Sequence, residues 1–238
     1  MNHSLSDPVV IAFIAIPVGL AVALIWATVI AWRNGDSQRA TMSAALLAGV
    51  AALAWMAASW MVAESGVLRR WEWTPPPFAV LVVVIGTLAV AIAFSGFGRR
   101  LARRVPLWAL VGVQGFRLPL ELAMHEMAER GVMPEEMSYS GRNFDVVTGI
   151  SAITVAAMVA TGRAGRRVVG LWNVMGLALV ISVMTVAVLS TPNIRYFGDD
   201  RVNVWVTYTP YVWLPAVMVL AAVAGHLIVF RALRFQGS

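Results

Sequence analysis

Apolar residues occur in seven long runs along the chain, and short polar connections separate these runs. A helix that crosses a bilayer needs roughly 17–25 predominantly apolar residues, and each of the seven runs is long enough. The pattern predicts an all-α membrane protein, a bundle of seven transmembrane helices that forms a single domain over residues 1–238. The predicted helices lie near residues 8–32, 40–63, 77–98, 105–128, 144–161, 168–190 and 209–230.

The charges of the connections predict the orientation of the bundle. Connections one, three and five and the C-terminal tail are rich in arginine and contain a single acid, Asp36. The opposite side mixes arginine with acidic residues, among them Glu64, Glu135 and Asp199. Because cytoplasmic loops carry the excess of basic residues, the N-terminus is predicted outside and the C-terminus in the cytoplasm. The predicted location is the bacterial cytoplasmic (inner) membrane.

Composition agrees with a membrane protein and removes several classes of function. Hydrophobic residues make up 60% of the chain and charged residues 13%, about half the charged fraction of an ordinary soluble domain. The net charge of +6 follows from arginines in the connections, so no nucleic-acid partner is predicted. The absence of cysteine excludes disulfides, thiolate metal sites and catalytic thiols. The absence of lysine excludes covalently bound retinal, and no cofactor is predicted.

The predicted partners are the lipid bilayer and a small solute. The third connection, GRRLARR, either sets topology or also binds anionic lipid headgroups. Its basic residues are Arg99, Arg100, Arg103 and Arg104.

A polar stripe follows the fourth predicted helix. Its side chains share one helix face because they are spaced by three, four and four residues: Gln114, Arg117, Glu121 and His125. An ionisable group inside a bilayer costs at least ~2.5–3.5 kcal/mol unless it finds a partner or water. Arg117 and Glu121 are therefore predicted to pair at i,i+4. Pro119 between them is predicted to kink the helix or admit a water.

A second polar group lies at the outer start of the fifth predicted helix. Asn143 and Asp145 belong to the segment GRNFD, at the depth of Glu121 and His125. These two residues either cap the helix or contact a ligand. Their convergence with the stripe predicts an outward-facing polar pocket between the fourth, fifth and seventh helices.

A third polar group is predicted near the cytoplasmic side. Asn173 and His226 lie at similar distances from the inner boundary, so they are expected to meet at one depth. They form either a structural hydrogen-bonded pair or the inner end of a polar path that Gln114 links to the outer group. Polar side chains at graded depths are what a proton relay or solute path requires.

Three functions fit these patterns. The first is transport or sensing of a small polar or anionic solute or of protons, in which Arg117 holds an anionic group and Glu121 exchanges a proton. The second is an intramembrane metal-dependent hydrolase that uses Glu121, His125 and Asp145, although catalytic zinc prefers more histidine. The third is a structural or accessory membrane subunit. Taken together, these patterns favour a function other than catalysis.

Two segments carry distinctive motifs: FRLPLELAMHEMAERGVMPEEMSYSGRNFDVVTGISA (116–152) and VWLPAVMVLAAVAGHLIVFRAL (212–233). With their FR-P-E helix, GRNFD turn and final WLP…H helix, they resemble a family of bacterial seven-helix membrane proteins of uncharacterised function. The segments make up about a quarter of the chain. The resemblance implies no activity, but it implies a shared polar core of Arg117, Glu121, Asn143, Asp145, Pro215 and His226.

Overall fold

The computed structural model describes residues 6–33 and 35–236, and within these ranges every regular element is helical. The α-helices are α1 (Pro8–Arg33), α2 (Gln38–Glu64), α3 (Pro77–Phe94), α4 (Gly96–Arg104), α5 (Leu107–Gly112), α6 (Arg117–Glu129), α7 (Val146–Ala160), α8 (Arg166–Leu189) and α9 (Leu220–Phe235). Four 3-10 segments occupy Val67–Arg69, Val113–Phe116, Glu135–Met137 and Trp205–Thr207, and a π-helix occupies Leu214–Val219.

Five helical segments among the described residues are long and apolar enough to cross a membrane. They are α1, α2, α3, α8 and the continuous stretch Leu214–Phe235, which joins the π-helix to α9. The predicted all-α class is confirmed, and the apolar helices are compatible with a multi-pass membrane protein. The fifth predicted helix corresponds to α7, whose 15 residues fall below the roughly 17–25 of an ordinary span.

The fourth predicted helix is not a single α-helix. The 3-10 segment Val113–Phe116 separates α5 from α6. Pro119 has no N–H to offer the carbonyl of Gly115, and a 3-10 turn is a common adjustment where the α-helical pattern is interrupted. The disturbance expected at Pro119 therefore takes the form of a locally tightened helix.

The third predicted helix ends earlier than expected. α3 stops at Phe94, and the hydroxyl of Ser95 then caps α4 by accepting a hydrogen bond from the backbone N–H of Gly98 at 3.1 Å. Leu101 and Ala102 of α4 are buried, so the helix is amphipathic and its arginines lie on the opposite side. The exposed ones are Arg99, Arg103 and Arg104.

α9 is the central helix of the fold. It packs against α3, α4, α5 and α8. The π-helix before it contains Pro215, whose missing N–H interrupts the α-helical pattern. The side chain of Trp55 in α2 donates to the carbonyl of Ala216 at 2.7 Å, which satisfies one acceptor of this irregular segment.

α6 and α7 cross very closely at Gly149. A β-carbon at this position would contact the backbone nitrogen of Leu118, so a residue without a side chain is required. The crossing brings the start of α6 beside the segment that leads into α7, and both segments carry candidate polar residues.

Substitution of Gly149 tests the crossing. G149A is expected to destabilise the protein by about 1–3 kcal/mol, because the added methyl group must push two helices apart. The measurement is thermal unfolding of purified protein in detergent micelles. G86A in α3 is the matched control, since a β-carbon there meets nothing within 4 Å; equal losses for both variants would contradict the crossing.

Candidate functional site

Arg117 and Asp145 form an ion pair inside the bundle. Arg117 Nη1 donates to Asp145 Oδ1 at 2.8 Å, and the two side chains are 1% and 6% exposed. The same nitrogen donates a longer hydrogen bond, 3.4 Å, to the carbonyl of Gly176 in α8. The pair therefore joins α6, the start of α7 and α8 through one guanidinium.

The predicted i,i+4 pairing of Arg117 with Glu121 is wrong. Asp145 takes that place because the crossing of α6 and α7 brings it within hydrogen-bond distance. Glu121 Oε2 instead accepts a hydrogen bond from Asn143 Nδ2 at 2.7 Å. Spacing along one helix cannot reveal a partner that lies 28 positions away.

Asn143 organises the turn before α7. Its Nδ2 also donates to the carbonyl of Met137 at 3.0 Å, and its Oδ1 accepts from the backbone N–H of Asp145 at 3.0 Å. Asp145 occupies the N-cap position of α7, yet its side chain makes no capping hydrogen bond. One asparagine thus positions both buried carboxyl groups.

Arg117, Glu121 and Asp145 line one cavity of about 70 Å³. The cavity is bounded by α3, α6, α8 and the π-helix, so it involves more elements than the three predicted helices. Its other polar lining residue is Asn203, and the remaining walls are apolar. A cavity of this size has room for a few water molecules.

Several buried polar atoms have no hydrogen-bond partner within the described part of the chain. They include Arg117 Nε and Nη2, Gln114 Oε1, Asn203 Oδ1 and His226 Nε2. Buried polar groups nearly always bind protein, water or ligand. Water or ligand molecules are therefore expected beside these atoms.

The third predicted polar group, Asn173 and His226, is joined by two hydrogen bonds. Asn173 Nδ2 donates to the carbonyl of His226 at 3.0 Å, and its Oδ1 lies 2.7 Å from His226 Nδ1. Because Oδ1 can only accept, Nδ1 carries the proton of this hydrogen bond. In the neutral ring the lone pair is then on Nε2.

Gly176 connects the pair of Asn173 and His226 with Arg117. A β-carbon at Gly176 would contact the ring of His226, while the carbonyl of the same residue accepts from Arg117. Gln114 Nε2 donates to the carbonyl of Ala222 at 3.4 Å, and Ala222 lines the cavity. All eight predicted site residues except His125 thus belong to one connected region.

His125 lies apart from the cavity lining. Its Nδ1 is 3.0 Å from the hydroxyl of Ser138, and its ring stacks on Tyr139 with centroids 4.3 Å apart. The described residues contain no group of three histidine or acidic side chains arranged to hold a metal ion. The alternative site of Glu121, His125 and Asp145 is therefore not assembled.

Sequence reasoning missed several contributors. Gly176 contributes its backbone carbonyl, which accepts from Arg117, and a pattern of side chains cannot predict such a contact. Asn203 follows the arginine-and-acid connection before the last helix, and its only signal is a polar residue between valines. Arg201, in the connection before the last helix, donates to Glu136 in the connection before α7, and this hydrogen bond raises the pKa of the Arg201 guanidinium.

Residues 74–234, about two thirds of the chain, match the family described as "Domain of unknown function (DUF8737)". The chain belongs to this family. The matched range begins just before α3 and contains the whole polar region, so the site lies inside the DUF8737 domain. No curated protein and no solved structure matches the chain.

Removal of Asp145 tests the buried pair. D145A is expected to destabilise the protein by about 3–5 kcal/mol, because Arg117 is left as an unpaired buried charge. Chemical unfolding in mixed micelles measures the loss.

D199A removes the acid of an exposed pair with Arg195 and should change stability little. Replacing both partners, as R117M with D145L, should recover much of the stability. A small loss for D145A, similar to that of D199A, would refute the importance of the pair.

Proposed function

We propose that this DUF8737 protein is a seven-helix protein of a bacterial cytoplasmic membrane that transports or senses protons or a small polar or anionic solute. In this proposal α5 and α6, with the 3-10 segment between them, form one span, and α7 forms another. The N-terminus is outside and the C-terminus is cytoplasmic, which leaves the arginine-rich connections on the inner side. Anionic lipid headgroups are proposed partners of the exposed α4 arginines.

One arrangement supports this function above all. Two carboxyl groups, Glu121 and Asp145, line the same cavity as a single guanidinium, Arg117, and Asp145 is the carboxyl group that pairs with it directly. With all three ionised the site carries one excess negative charge in apolar surroundings, which is costly. A proton removes that charge, and Glu121 is the natural carrier because Asp145 already pairs with Arg117.

A structural role is the alternative that the contacts also support. Glu121, Asn143 and Asp145 hold one another and the loop before α7 in place. Such a network stabilises a fold without any transport. The two roles differ in whether the proton on Glu121 exchanges.

Single cysteines test the proposed orientation, since the natural chain has none. S140C, in the connection before α7, should react with a membrane-impermeant maleimide on intact cells. T161C, at the other end of α7, should react only after the membrane is permeabilised. Both residues are exposed, so the opposite labelling pattern would overturn the orientation.

Glu121 is tested by E121Q, which keeps the acceptor for Asn143 but cannot exchange a proton. We expect E121Q protein to fold with nearly unchanged thermal stability. In proteoliposomes it should lose the response to an imposed pH gradient, measured with an internal pH dye.

E126Q is the control, because Glu126 lies on the same helix but pairs with Arg130 at the surface. Unchanged proton movement in E121Q would favour the structural role. So would an absence of proton movement in the unaltered protein.

A further inference from the structure

We propose, building on the solute function above, that the cavity binds a short-chain monocarboxylate together with one proton. The carboxylate sits on the free edge of Arg117, and its alkyl group lies against the apolar wall. Three properties of the cavity lead to this ligand: the donors it offers, its size and its charge.

The donors come from Arg117. Nη1 is occupied by Asp145 and Gly176, whereas Nε and Nη2 have no partner among the described residues. These two nitrogens form one edge of the planar guanidinium, and such an edge matches the two oxygens of a carboxylate with parallel hydrogen bonds. The side chain is 1% exposed, so these donors face protein or cavity rather than bulk water.

The size of the cavity restricts the ligand. A volume of about 70 Å³ is roughly half that of an engineered cavity of ~150 Å³ that holds benzene. A molecule of three to five non-hydrogen atoms, such as acetate or propionate, is the expected fit.

The walls distinguish this ligand from inorganic anions. Phe116, Leu120 and Met218 line the cavity beside the polar residues, and they suit an alkyl group. Phosphate or sulfate would turn further oxygens toward these apolar walls, and a buried oxygen without a donor is costly. A carboxylate places both of its oxygens on the guanidinium.

The net charge of the site predicts that one proton binds together with the carboxylate. With one proton on Glu121 the site is neutral, so a bound carboxylate adds one negative charge that a second proton cancels. Asp145 is the group that receives this proton, because the ligand must stay ionised to accept both hydrogen bonds from the guanidinium. His226 of α9, beside Gly176, is the other titratable group near Arg117. α3, α8 and the π-helix contribute no charged side chain to the cavity lining.

The test is calorimetric titration of the purified full-length protein in detergent with acetate and propionate, using acetamide as the uncharged analogue. Both carboxylates should bind, and acetamide should bind at least tenfold more weakly. Uptake of one proton should tighten carboxylate binding about tenfold for each unit by which the pH falls. Buffers of different ionisation enthalpy report the same proton independently.

Variants locate the ligand. R117K keeps the positive charge for Asp145 but lacks the two-donor edge, and should weaken acetate binding at least tenfold. R142K is the control, since Arg142 is exposed on the loop and lies over Phe197. A187L narrows the cavity from α8 and should weaken propionate more than acetate, so the proposal stays testable if R117K fails to fold.

The outcomes separate this inference from the function on which it rests. Absence of carboxylate binding, with proton movement still dependent on Glu121, would refute the carboxylate as the ligand. The transport or sensing proposal would still stand. Binding that is unaffected by A187L, or equal for R117K and R142K, would also refute this ligand. If the unaltered protein binds carboxylate but moves no protons, that result would instead count against proton exchange.

Discussion

The guanidinium of Arg117 is a positive charge held inside a bundle of apolar helices, and much of the local structure follows from the need to compensate it. An isolated charge in such surroundings is far too costly to persist. Asp145 supplies the opposite charge only because α6 and α7 cross closely at Gly149. The carbonyl of Gly176 adds a contact from α8. A single buried cation thus fixes the relative positions of three helices.

The same compensation creates a chemical imbalance. Asn143 holds Glu121 through its amide nitrogen and the backbone of Asp145 through its amide oxygen. This geometry places two carboxyl groups at the cavity that Arg117 lines, and it leaves two guanidinium nitrogens without a partner among the described residues. A purely stabilising design would match every donor and every charge, because unsatisfied buried groups reduce stability. The unmatched charge and the unmatched donors belong to residues that line the same cavity, and this supports the proposed binding site.

The sequence was sufficient for the properties that depend on local periodicity. Apolar runs predicted the all-α class, and the polar stripe identified Gln114, Arg117 and Glu121 as buried neighbours. Depth along the helices brought Asn173 and His226 together correctly. The ion-pair partner of Arg117 could not be predicted from the sequence, because it belongs to another helix. The contacts of His125 could not be predicted because a helix face does not reveal how a later loop folds back, and Ser138 and Tyr139 lie in that loop.

In the proposed function, Arg117 also restricts how protons move through the bundle. Arginine is not deprotonated in proteins, so it is a fixed positive charge between Glu121 and the inner pair of Asn173 and His226. A carbonyl such as that of Gly176 accepts a hydrogen bond but does not pass a proton onward. The proposed proton exchange between the two sides of the membrane therefore requires the helices to move around the cavity. The 3-10 segment Val113–Phe116 and the π-helix Leu214–Val219 both reach the cavity wall, and such irregular segments are where helices bend at low cost.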